Sequence, residues 1–135
     1  MVIKNTISLL FVVGAMFFSF ESVAQEDDFE LISKIINAGN AKELVKQFDK
    51  TIDLNIDGKE ASYSQAQAEA VLKDFFTRNP PESFEINHQG SSKNGLPYAI
   101  GEYINEVGNY RVWIRLKEVN KRKVIYEMSF IKETD

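Results

Sequence analysis

The apolar residues of this chain switch from a helical spacing to an alternating one, and the switch falls at a double proline. Ahead of it, Ala68, Val71, Leu72, Phe75 and Phe76 follow the i, i+3, i+4, i+7, i+8 pattern of an amphipathic helix. Ser64 and Gln67 form a capping box at the start of this helix. Asn79-Pro80-Pro81 ends it, because proline lacks an N–H and disfavours helix in the residue before it. Burying Val71, Leu72, Phe75 and Phe76 contributes on the order of 6–12 kcal/mol before the entropy of ordering is counted.

Two shorter helices are predicted upstream. Phe29, Ile32, Ile35 and Ile36 recur at helical spacing behind a cap at Asp27 or Asp28, and Ala38-Gly39 stops them. Asn40 caps the second helix, with Glu43 in capping-box position and Ala41, Leu44, Val45 and Phe48 as its stripe. Residues 51–57 then alternate, Ile52, Leu54 and Ile56 against Asp53, Asn55 and Asp57, and read as a short strand closed by Asp57-Gly58. The same acidic positions have the spacing of a calcium loop. Ser64 stands where such a loop needs its glutamate, and Leu54 and Ile56 call for a core, so the strand reading is taken.

Downstream of the prolines, four long strands are expected at about 83–90, 97–106, 110–118 and 123–131. Asn94-Gly95 and Gly108-Asn109 read as two-residue hairpin turns. They set His88 opposite Gly101, Tyr103 opposite Ile114 and Glu102 opposite Arg115. One face then holds Phe84, Ile86, His88, Ala99, Gly101, Tyr103, Val112, Ile114 and Leu116, and is taken as the core side. The other carries Glu85, Asn87, Glu102, Arg111, Arg115 and Lys117, with Ile100, Ile104 and Trp113 among them. In the last strand Val124, Tyr126, Met128 and Phe130 are placed inward, with a bulge able to reverse part of the set.

Residues 1–24 read as a targeting segment. Lys4 precedes an apolar stretch at 7–20 that is short of the ~20 residues of a bilayer crossing, and Ser22-Val23-Ala24 sets a cleavage site before Gln25. An uncleaved anchor is the competing reading, opposed by Glu21 at the end of the apolar run. The expected product is one domain over residues 25–135, periplasmic or secreted, with no stable membrane anchor after cleavage. The net charge of −4 argues against nucleic acid as a partner, since that affinity comes from neutralised phosphates. Arg111, Arg115, Lys117, Lys121, Arg122 and Lys123 gather late in the chain and read as a solvated strand face and hairpin. The chain has no cysteine, which excludes disulfides, thiolate metal sites and a lipidated cysteine.

His88 is the only histidine. No nucleophile elbow, phosphate-binding loop, dinucleotide fingerprint or zinc-binding helix motif accompanies it, so no catalytic residue, cofactor or metal site is assigned. His88, Tyr103 and Tyr126 are the candidate binding residues, all expected on the inward side, with Tyr103 diagonal to His88. Ile104 and Trp113 are the candidate interface residues on the opposite face.

The order of elements resembles the nuclear-transport-factor-2-like cone, a cystatin-like α+β fold in which a curved antiparallel sheet of four long strands packs on about three N-terminal helices. The stretches Tyr63-Ser64-Gln65-Ala66-Gln67-Ala68-Glu69, Asp74-Phe75-Phe76, Asn79-Pro80-Pro81, His88-Gln89-Gly90-Ser91-Ser92, Tyr98-Ala99-Ile100-Gly101 and Tyr110-Arg111-Val112 resemble those of a small family of exported bacterial domains of unknown function with that fold. The resemblance implies a cavity between helices and sheet, and names no activity. The expected function is noncatalytic, with a small apolar ligand bound in the cone or a protein partner bound through the outer sheet face. One alternative is an acid–base enzyme of isomerase or dehydratase type using His88. The other is a structural homodimer through the outer face.

Overall fold

A computed structural model describes residues 27–134. The leader expected at residues 1–24 lies outside them. No helix among the described residues is long and apolar enough to cross a membrane.

Each predicted helix forms, and each is started by its predicted cap. Asp27 accepts the Phe29 N–H at 3.2 Å at the head of α1 (Asp28–Asn37). Asn40 accepts the Glu43 N–H at 3.1 Å at the head of α2 (Ala41–Val45), while the Glu43 carboxylate pairs with Lys46 at 2.7 Å. The capping box of α3 (Gln65–Arg78) is complete, with Ser64 and Gln67 exchanging bonds of 3.2 and 3.0 Å.

The sheet has six strands rather than four long ones and a short one: β1 (Phe48–Ile56), β2 (Lys59–Ser64), β3 (Ser83–Ser91), β4 (Pro97–Ile104), β5 (Tyr110–Val119) and β6 (Arg122–Lys132). Their order is β2-β1-β6-β5-β4-β3. β1 lies parallel to β6, and every other neighbouring pair is antiparallel. Phe48, expected on the stripe of α2, opens β1 and is buried there. β2 escapes prediction because it is an edge strand that buries no residue fully, so its sequence carries no apolar alternation; its backbone pairs with β1 across the Asp57-Gly58 turn. The acidic positions of that segment serve the hairpin. Asp53 takes the Ser62 hydroxyl, and Asn55 takes the Gly58 N–H at 2.8 Å.

Turn lengths correct the registers. Ser92 and Leu96 close the β3–β4 hairpin, Ser92 N–H to Leu96 carbonyl at 2.9 Å, and Gly95 sits at φ 74° in the left-handed region. Three residues therefore make this turn instead of two, which inverts the parity of the strand next to it. His88 pairs with Ile100, not Gly101. A bulge at Asn87 restores the parity, so Phe84 and Ile86 face inward as expected. The β4–β5 loop is also longer than two residues. Asn105 holds it, accepting the Val107 N–H at 2.9 Å and donating to the Gly108 carbonyl at 2.7 Å. Tyr103 faces Tyr110 rather than Ile114, and Glu102 faces Arg111 rather than Arg115. That displacement is even, so the faces survive, and Val112, Ile114 and Leu116 are buried. A second bulge, at Tyr126, leaves Val124, Met128 and Phe130 buried as expected, buries Ile125 as well, and releases Tyr126.

The hollow of the sheet is filled. Phe75 of α3 lies 4.7 Å from Phe130, 5.1 Å from Tyr110 and 5.6 Å from Tyr103, ring centre to ring centre, and Phe76 packs against Phe75 at 5.8 Å. α1 closes the other edge of the sheet. The Asn37 side chain donates to the Phe84 carbonyl at 2.7 Å and accepts the Phe84 N–H at 2.8 Å, standing in for a further strand beside β3.

Candidate functional site at the mouth of the cone

With the interior occupied by aromatic rings, a concavity opens where the β1–β2 hairpin meets the C-terminal half of α3. It is a half-open cleft of about 650 Å³. Ile56 and Tyr63 line the hairpin side, and Val71 and Phe75 line the helix side. The helical stripe that packs the core is wider than the core needs, so Val71 remains half-exposed at the cleft wall.

The floor is polar and buried. Tyr110 and Asn79 are each 6 % exposed. The Tyr110 hydroxyl donates to Asn79 Oδ1 at 3.3 Å, and Asn79 Nδ2 donates to the Phe75 carbonyl at 3.1 Å. Asn79 sits there because the helix must stop ahead of Pro80, and its side chain caps the final turn. Burial pushes the Tyr110 phenol above the ordinary tyrosine range; the Asp57 carboxylate pushes it further, and the Arg78 guanidinium opposes both. The hydroxyl stays protonated across physiological pH and can both donate and accept.

Charges of both signs rim the opening. Arg78 grips Asp74, its Nε and Nη2 donating to Oδ2 at 3.0 and 2.7 Å. Asp57 accepts the Lys132 N–H at 3.3 Å, which ties the hairpin tip to β6. Lys59 completes the rim. Among the described residues no group of three or more His, Asp or Glu side chains is placed to hold a metal ion. The cleft offers hydrogen bonds, an apolar wall and balanced charge.

The structure does not bring His88, Tyr103 and Tyr126 together. His88 is exposed on the outer face, where Nε2 lies 3.1 Å from the Tyr98 hydroxyl; the three-residue turn put it there. Tyr103 is fully buried and its hydroxyl donates to the Asn79 carbonyl. Tyr126, freed by its bulge, lies under the Lys117 ammonium, 5.9 Å from the ring centre. Ile104 is 36 % exposed and Trp113 is half-buried on the outer face, where both were expected. The residues of the cleft floor were missed. Tyr110 shares the inward parity of Val112 and Ile114, and an asparagine ahead of a double proline is a helix-stop residue; neither signal alone distinguishes a site from a core.

Residues 29–130 match the family described as a domain of unknown function, DUF4783. The crystal structure of a DUF4783 family protein from Bacteroides uniformis is 28 % identical, with a TM-score of 0.75, covering 81 % of this chain and 100 % of its own. Another, from Bacteroides ovatus, is 27 % identical with a TM-score of 0.71, covering 77 % and 94 %. A domain of unknown function with a cystatin-like fold from Nostoc punctiforme shares the fold at 10 % identity and a TM-score of 0.61, covering 77 % and 72 %. No curated protein matches the chain. The family match runs from the first turn of α1 nearly to the end of β6: this chain belongs to the DUF4783 family.

Proposed function

We propose that this protein is a noncatalytic binding domain that holds a small amphipathic molecule in the cleft at the mouth of the cone, and that it works in the periplasm or outside the cell. The observation that carries the reading is the buried Tyr110 hydroxyl at the floor of a cleft of about 650 Å³, facing an apolar wall. Ligand sites have this size, and they combine an apolar lining with a few fixed polar groups. An apolar ligand inside the cone, as first expected, has no room beside Phe75, Tyr103 and Phe130. The ligand therefore sits at the mouth, where it needs a polar end for Tyr110 and Asn79. The exported location rests on the leader pattern of residues 1–24. With His88 on the outer face, the acid–base alternative loses its proposed base, and the cleft supplies no other imidazole.

Native mass spectrometry of the protein purified from its own host tests the reading. The wild type is expected to carry a small molecule, and Val71→Trp, which fills the cleft wall, is expected to lose it while keeping the same circular dichroism. A wild type that arrives empty and is stabilised by no member of a small-molecule library would overturn the reading.

A further inference from the structure

The outer face of the sheet carries a second arrangement that the cleft does not use. Tyr98 on β4 and Trp113 on β5 have ring planes within 24° of one another and centroids 6.3 Å apart. At that separation near-parallel rings are offset from one another, not face to face. Their tilt has a visible cause. Position 90 on β3, paired with Tyr98, is glycine, and a Cβ there would meet the Tyr98 hydroxyl and ring at 2.7–3.0 Å. The missing side chain lets Tyr98 lean over the backbone of β3. His88 then meets its hydroxyl, with ring centres 5.7 Å apart. On the other side the Arg115 guanidinium lies 5.8 Å from the centre of the Trp113 ring. The result is an aromatic shelf reaching across three strands, its two rings half-buried and edged by hydrogen-bonding groups.

The charges around the shelf are spoken for. Arg115 pairs with Glu127 at 3.5 Å, Arg111 with Glu133 at 3.7 Å and Lys117 with Asp49 at 2.6 Å. Burial and the neighbouring Glu133 carboxyl press Glu102 toward its neutral form. A polyanion needs unpaired cations to displace its counterions, and this face offers few. A greasy partner needs a broad apolar patch, yet Ile100 is half-buried, Ile104 lies at the far end of β4, and the exposed Ile131 stands among Arg111, Lys132 and Glu133. A flat ligand with an apolar face and a polar, uncharged edge fits both the rings and the paired charges. We infer that the Tyr98–Trp113 shelf is a binding site for the pyranose ring of a neutral saccharide, its C–H face laid on the two rings and its hydroxyls reaching His88 and the Arg115–Glu127 pair. The inference is independent of the cleft.

Trp113 is the only tryptophan in the chain, so its emission reports on the shelf alone. The full protein is titrated with cellohexaose, mannohexaose and chitohexaose, and separately with heparin and a single-stranded oligonucleotide. A saturable change in Trp113 emission is expected with at least one neutral sugar. Tyr98→Ala and, as a milder change that only lifts the ring, Gly90→Ala are each expected to weaken it about tenfold or more. Three results would each overturn the inference: no response to any neutral sugar, a response confined to the polyanions, or an emission shift that follows protein concentration alone and so reports contact between copies. The cleft is read by mass spectrometry and the shelf by fluorescence, so failure of one leaves the other standing.

Discussion

The phenol of Tyr103, near the end of β4, hydrogen-bonds the main-chain carbonyl of Asn79, just past the last turn of α3. Both groups are buried, and the bond fastens the helix end to the sheet at the level of the cleft floor. Tyr103→Phe keeps the ring and removes the donor, leaving a buried carbonyl without this partner. A loss of about 1–3 kcal/mol is expected from urea denaturation. A change near zero would mean that the carbonyl finds water, and that the cleft floor is wetter than its burial implies.

The same tyrosines make the protein sensitive to alkali. Burial raises the pKa of Tyr103, with the neighbouring Tyr110 adding to it; burial and then Asp57 raise that of Tyr110. In the unfolded chain both ionise near about pH 10. Above that pH the folded state holds more protons than the unfolded one, so stability falls as pH rises. The stabilisation is full below about pH 10 and is lost progressively above it, towards the raised values. Urea midpoints taken across this range are expected to stay level and then drop, and the drop is expected to shrink when both positions are phenylalanine.

Residues 84 and 88 stand on one strand, on opposite sides of the Asn87 bulge. Phe84→Ala is expected to cost about 3–5 kcal/mol, as for a large buried ring. His88→Ala is expected to stay within about 0.5 kcal/mol, as for a surface position. Guanidinium denaturation of the two variants separates these outcomes. A histidine variant as damaging as the phenylalanine one would put the imidazole back inside the cone.

Asn37 acts as a one-residue strand beside β3. Asn37→Ala would free both the Phe84 N–H and its carbonyl, at a cost of about 1–3 kcal/mol. Hydrogen exchange at the Phe84 amide is expected to accelerate well beyond that of its neighbours on β4. Unchanged protection there would show that another group covers this edge.

The helices were legible because each is specified by residues within a few positions of one another. Ser64 with Gln67, Asn40 with Glu43, and the spacing of Phe75 and Phe76 all act over one or two turns. The inward set on β4 and β5 was legible for a related reason: parity repeats every second residue, and an even error in register, such as Tyr103 meeting Tyr110 in place of Ile114, does not change it. Odd errors do. One extra residue in the turn at Gly95 moved His88 through the sheet, and one extra residue at Tyr126 moved that ring out of the core.

The cleft was not legible, because its parts are far apart in sequence. Asp57, Asn79 and Tyr110 meet only after β1 has docked parallel to β6 and the tip of its hairpin has been tied to Lys132. The pattern of apolar and polar residues thus settled the three helices, five of the six strands and the inward faces of β4 and β5, because those choices are made by near neighbours and by the burial of grease. The exact side on which a single polar residue emerges, and which distant groups share a cleft, waited on turn lengths, bulges and strand order, whose energies are set by contacts that exist only once the chain has closed on itself.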